Sequence, residues 1–131
     1  MTDEKKSDLV KPVQVLMDWS RLAQFKEFDD EARSMTCEVV ALFSKELPSR
    51  TDDIRRVLPA CDSAALSRAA HALKGAASNV GAQALSDACG VLEQSCLEGQ
   101  WPAGAAAQIE KITKLADKTS QALQGWATHT G

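Results

Sequence analysis

The chain has 131 residues, and 15 Lys and Arg against 18 Asp and Glu give a formal net charge of -3. That length fits one domain with its own core, and the acidic balance argues against a dedicated nucleic-acid or anionic-membrane binder, whose footprint is a basic excess. Only two histidines occur, and His129 stands close to the C-terminal end. A multi-histidine metal centre is thereby excluded, and His71 becomes the main candidate for imidazole chemistry.

Tyrosine is absent, aromatics are 5% and alanine is abundant, as in the run from Ala103 to Ala107 broken only by Gly104. Alanine has the highest helix propensity and lets helices approach closely, so the chain reads as all-α. Residues 1–11 are polar and expected to be a disordered tail, with a helical domain over 12–127. No apolar run of membrane-spanning length occurs, and no apolar core follows Met1–Lys6, so a soluble cytoplasmic protein with no membrane partner is expected. Cys37, Cys61, Cys89 and Cys96 then read as small buried hydrophobes rather than a disulfide framework.

In chain order, Pro12 opens a short helix through Val13, Leu16 and Met17, and Trp19, Leu22 and Phe25 suggest a further turn or two. Asp29 and Asp30 offer an N-cap. Ala32, Met35, Val39, Leu42 and Phe43 then form an amphipathic stripe. Pro48 either kinks that helix or starts another. The pattern resumes at Ile54, Val57 and Leu58 and stops near Pro59. Asp62 or Ser63 can cap the next helix, which runs to about Asn79 with Gly81 closing it. A further helix from about Ala82 to Glu98 buries Leu85, Ala88, Leu92 and Cys89 or Cys96. Gly99 and Pro102 mark a turn, with Trp101 covering one end of the molecule. The last helix carries Ile109, Ile112, Leu115, Ala116, Leu123 and Trp126, and Thr128–Gly131 should fray. The economical packing is an antiparallel four-helix bundle with a short additional N-terminal helix.

The helix over 63–79 is the informative one. At about 100° per residue, Leu66, Ala70, Leu73, Ala77 and Val80 share one apolar stripe, while His71, Lys74, Gly75 and Ser78 lie on the other side. An imidazole is a competent nucleophile near neutral pH and can accept a phosphoryl group. Lys74, one turn on, can offset the charge of the transferred oxygens. Gly75, with no Cβ, leaves room for a partner or a phosphoryl group, at a cost of up to ~1 kcal/mol relative to Ala. Ser78 and Asn79 add groups able to orient the site or bind a partner. The same residues equally describe a solvated helix face, with Gly75 permitting close packing and Gly81 a C-cap.

Ala70-His71-Ala72-Leu73-Lys74-Gly75-Ala76-Ala77-Ser78-Asn79-Val80-Gly81, followed by Leu85 and Leu92-Glu93, resembles the histidine phosphotransfer (HPt) domain of bacterial two-component phosphorelays. The likeness is strongest over 62–98 and extends loosely from Asp29 to Trp126. It implies that His71 is phosphorylated, commonly on Nε2 in this family, by exchange with a receiver-domain aspartate. Lys74 would stabilise charge and Gly75 would keep the approach open. It implies no cofactor of the chain's own, Mg²⁺ on the partner receiver, and no ATP-dependent kinase activity. The implied partners are response-regulator receiver domains and a hybrid sensor histidine kinase, with the chain a monomer. An apolar docking patch is expected near His71, drawing on Trp19, Leu22, Phe25 and Phe28.

Two other readings remain. One is a non-phosphorylated interaction module that regulates a kinase or receiver. The other is a metal or redox protein using Cys89 and Cys96, although no Cys-x-x-Cys is present. DNA binding has little support, because Arg55-Arg56 is flanked by Asp52 and Asp53.

Overall fold

The computed structural model describes residues 15–25, 34–96 and 99–130. Among them the chain forms a short helix α1 (Ser20–Phe25), then α2 (Ser34–Arg56), a 3₁₀ turn over Leu58–Ala60, α3 (Ser63–Asn79), α4 (Gln83–Ser95) and α5 (Ala105–Thr130). The four long helices close a ring in which α3 packs on α4, α4 on α5, and α2 on both α3 and α5. The expected all-α bundle with an added N-terminal helix is the fold observed.

The stripe read on α3 is the buried one: Leu66, Ala70, Leu73 and Ala77 have no exposed surface and Val80 has almost none. They meet Val40, Phe43, Leu47 and Ile54 of α2, Leu85, Cys89 and Leu92 of α4, and Ile109, Ile112 and Leu123 of α5 in one core. Burial of this kind supplies most of the helical stability, because isolated helices of these lengths are marginal in water. Pro48 sits inside a single helix, since α2 continues through it to Arg56. Its ring removes the N–H that would bond to Ser44, and the tertiary contacts of Phe43, Leu47 and Ile54 on both sides hold the helix together.

Two ends of α3 explain its precision. Asp62 is the N-cap, its carboxylate accepting from the amides of Ala64 and Ala65 at 3.1 Å each. At the other end Gly81 has φ +81°. Its N–H donates to the Ser78 carbonyl (3.1 Å) and the Ala82 N–H donates to the Ala77 carbonyl (2.8 Å), a Schellman closure. The turn is short, so α3 and α4 run antiparallel in direct contact.

The N-terminal segment completes this turn. Ala82 caps α4 with no side-chain acceptor, and the Ala84 N–H instead donates to the Leu16 carbonyl at 3.3 Å. The Asp18 N–H donates to the Gly81 carbonyl at 2.6 Å. Asp18 then accepts from the amide and hydroxyl of Ser20, opening α1. These bonds hold the Asp18 carboxyl below its ordinary value.

Several expectations need correcting. Leu16 and Met17 are not helical, because their backbone is committed to the α3–α4 turn; Met17 is buried there. Pro12, Val13, Asp29, Asp30 and Ala32 lie outside the described residues. The fourth expected helix ends at Ser95 rather than Glu98. The last helix continues to Thr130, so Thr128–Thr130 are helical rather than frayed. Cys89 and Cys96 are buried as expected, but Cys37 and Cys61 are exposed.

A Cβ at Gly81 would overlap the Asp18 carbonyl oxygen, and an L side chain is strained at this φ. Gly81→Ala should therefore lower the unfolding free energy by about 1–3 kcal/mol in urea titrations. Amide exchange at Asp18 and Ala84 should accelerate in parallel. Unchanged stability would mean that the turn is not under this constraint.

Candidate functional site

With its apolar stripe sunk in the core, α3 turns His71 outward, and the side chain is 68% exposed. The imidazole is nonetheless held. Glu93 reaches across from α4 and divides its carboxylate between two side chains of α3. Its Oε2 lies 2.9 Å from His71 Nδ1, and its Oε1 lies 2.9 Å from Lys74 Nζ, an ion pair. The Glu93 side chain is only 21% exposed.

The electrostatics fix the proton. The Lys74 ammonium first, and the His71 ring after it, hold the Glu93 carboxyl below its ordinary 4.5, against the opposing effect of partial burial. An ionised carboxylate can only accept, so the His71 contact places the hydrogen on Nδ1. In the neutral ring Nε2 then keeps its lone pair, and no described residue bonds to it. This is the arrangement of an oriented nucleophile: one nitrogen anchored, the other presented.

The surroundings leave that nitrogen accessible. A Cβ at Gly75 would meet nothing within 4 Å, so this glycine does not serve helix packing. At Gly90 of α4 a Cβ would lie 3.5 Å from Lys74 Cδ, which shows that the lysine stem runs over a bare stretch of α4 on its way to Glu93. Ser78 and Asn79 are exposed on the same side of α3 as His71. Neither side chain bonds to His71, Lys74 or Glu93, so they belong to the surface around the site and not to its hydrogen-bond network. Asn79 edges a groove of about 300 Å³ between α2 and α3, floored by Phe43, Ala72 and Ala76 and rimmed by Leu42. Leu42 is 56% exposed and adds apolar surface to that groove.

Of the expected apolar patch, Trp19 is 41% exposed and Leu22 is core. The side chain of Phe25, and Phe28 altogether, lie outside the described residues. The cysteine alternative finds no site. Among the described residues no group of three or more His, Cys, Asp and Glu side chains comes together as metal ligands. Burial also pushes the Cys89 thiol up to about 12, and it raises Cys96 as well. Arg55 and Arg56 are paired with Asp52 and Asp53 at 2.8 and 3.2 Å. No described helix is long and apolar enough to cross a membrane.

The role of Glu93 is what sequence reasoning missed. The residue was visible only as part of a signature, 22 positions from His71. Its signal was an acidic residue directly beside the buried Leu92, on the border of the stripe formed by Leu85, Cys89 and Leu92.

Residues 38–125 match the Hpt domain family. The chain belongs to that family. Hpt domains are phosphoryl carriers of two-component phosphorelays and have no independent kinase activity. Among solved structures, this Hpt domain is similar to histidine-containing phosphotransfer protein B from Pseudomonas aeruginosa PAO1. The two are 25% identical with a TM-score of 0.78, over 87% of this chain and 96% of that one. A rice protein assigned to the histidine-containing phosphotransfer proteins shares the fold at 22% identity and a TM-score of 0.70, over 83% of this chain and 79% of that one. No curated protein sequence is significantly similar to this Hpt domain.

Two outcomes test this geometry. Gly75→Ala should raise stability by up to ~1 kcal/mol, since it adds helix propensity and meets no atom. For Glu93, folding depresses the pKa, so its contribution to stability is present above the ordinary value of 4.5 and is lost as the pH falls below it. The stability difference between wild type and Glu93→Gln should therefore shrink as urea titrations move from neutral to acidic pH. A difference independent of pH would remove the ionised bridge.

Proposed function

We propose that this protein accepts a phosphoryl group on His71 Nε2 from the aspartyl phosphate of a receiver domain and passes it to a second receiver aspartate. The observation that carries the reading is the fork of Glu93, which anchors Nδ1 of an exposed imidazole and parks a lysine beside it. Residues 12–127 form the carrier unit.

In the forward step the Nε2 lone pair forms a bond to phosphorus as the bond between phosphorus and the aspartyl oxygen breaks. The receiver carboxylate leaves with that electron pair. No proton has to move, because the ring keeps its hydrogen on Nδ1 and takes up positive charge. The Glu93 carboxylate at 2.9 Å stabilises that charge. Lys74, one turn on from His71, can turn from Glu93 Oε1 toward the phosphoryl oxygens and offset their charge. Gly75 leaves the approach open on the far side of the ring. Phosphoryl transfer depends mainly on alignment and charge stabilisation, and a rigid helix carrying an oriented ring supplies the alignment. Mg²⁺ would come with the receiver and neutralise charge on the phosphoryl group there.

Docking of a receiver fits the α2–α3 groove, where Leu42, Ala72 and Ala76 offer apolar surface on the flank of the helix that carries His71. Ser78 and Asn79 continue this surface as polar contacts.

The test is transfer from receiver domains of the same organism, phosphorylated with acetyl phosphate in Mg²⁺. Wild type should acquire an acid-labile, base-stable label, and His71→Gln should acquire none while keeping its helicity. Lys74→Ala should retain the label but acquire it at least ~10-fold more slowly. Gly75→Leu should block transfer with the fold intact. Labelling of His71→Gln at the wild-type rate would overturn the assignment. A wild-type protein that binds the receivers without ever being labelled would instead support a docking module.

A further inference from the structure

Most of the described arginines are paired with their neighbours. Arg50 pairs with Glu46 at 3.0 Å, Arg55 with Asp52 and Arg56 with Asp53. Arg21 also has a partner. Arg68 is the exception among the described arginines: it is exposed on α3 and has no ion pair or hydrogen bond with any described residue. Its position is not arbitrary. It lies one turn before His71, on the same outward face, with Cβ atoms about 5–6 Å apart.

The rest of the face gives that charge a direction. Lys74, the other cation beside His71, is already engaged by Glu93 at 2.9 Å. Beyond His71 the exposed positions of α3 are Ala72, Gly75, Ser78 and Asn79, none of them charged. The flanking groove there is apolar, and its Glu46–Arg50 pair is internally neutralised. From Arg68 to Asn79 the strip is roughly 16 Å long. It has at one end a cation with no partner among the described residues, the proposed nucleophile near that end, and neutral surface at the other.

We infer that Arg68 is a specificity-determining residue for the receiver. It pairs with a carboxylate on the rim of the partner's phosphorylation pocket and so sets which way round the receiver lies along α3, with its apolar contact over Leu42 and Ala76. This inference rests on the phosphocarrier reading above. The partner's chemistry is what recommends it: a pocket that must hold Mg²⁺ and an aspartate is ringed by negative charge. An exposed guanidinium with no competitor among the described residues is the group best able to meet such a rim. Were Arg68 instead a clamp on the phosphoryl group itself, its loss would alter the lifetime of the phosphorylated protein in the absence of any partner.

The experiment uses the full chain and the receiver that transfers fastest to it, phosphorylated with acetyl phosphate in Mg²⁺. Arg68→Ala should raise KM for the receiver about two- to fivefold at low salt, with kcat little changed, and the difference should fade at high salt. Arg68→Lys should recover part of the loss, and Arg68→Glu should deepen it beyond tenfold. The spontaneous hydrolysis rate of isolated phosphorylated protein should be the same in all four. Wild-type KM and salt dependence in Arg68→Ala and Arg68→Glu would overturn the inference and leave the carrier reading intact. An unchanged KM with faster or slower hydrolysis would replace docking by a phosphoryl clamp. Failure of wild type itself to accept phosphate would remove both.

Discussion

A single carboxylate organises the site. Glu93 crosses from α4 to α3 and spends one oxygen on the imidazole and the other on the lysine. Without it, an exposed histidine would sample rotamers and tautomers freely, and a lysine one turn away would point into solvent. With it, the ring is oriented, the proton is placed and the cation is stored within reach. The fork works only if α3 and α4 are in one register, and that register is set by the turn between them. Gly81 adopts a left-handed conformation, closes α3 and hands the chain to α4 within two residues. His71 lies 10 residues before that glycine and Glu93 12 after it, so the two meet at nearly the same height on the antiparallel pair.

The N-terminal segment has its place in this same constraint. It caps the α3–α4 turn through the Leu16 carbonyl and the Asp18 amide, and Met17 and Leu22 seal the end of the core. The turn therefore has main-chain partners on both of its sides. Rigidity at that end is what a carrier needs, since a misplaced nucleophile loses rate steeply in reactions governed by alignment. The outward face shows the opposite preference. Gly75 sits mid-helix, where Ala would be more stable and would meet no clash, and Leu42 stays exposed beside a groove. On the proposed function, stability is conceded where a receiver would approach.

Much of this was legible in the sequence, for reasons that can be named. The α3 stripe of Leu66, Ala70, Leu73 and Ala77 has an unbroken helical period, and Asp62 and Gly81 punctuate it with the side chain and backbone that a cap and a turn require. Period and punctuation are local properties, so helix, core face and outward face followed together. What could not be read is non-local. Leu16 and Met17 sit in a segment that looks helical but is held out of a helix by bonds to residues more than 60 positions away. Pro48 sits in an unbroken helix because the core contacts of its neighbours outweigh a missing hydrogen bond. Glu93 meets His71 across 22 residues, and only the register of two helices reveals it. Arg68 was visible as a residue but not as one without a partner among the described residues.

The central claim is that Glu93 keeps the hydrogen on Nδ1 and so makes Nε2 the phosphorylated atom. Long-range proton–nitrogen correlation spectra of the His71 ring, recorded before and after labelling by a phosphorylated receiver, test it most directly. The account predicts an Nδ1–H tautomer in the free protein and a phosphorus coupling to Nε2 in the labelled one. A free ring protonated on Nε2, or a phosphoryl group found on Nδ1, would contradict it.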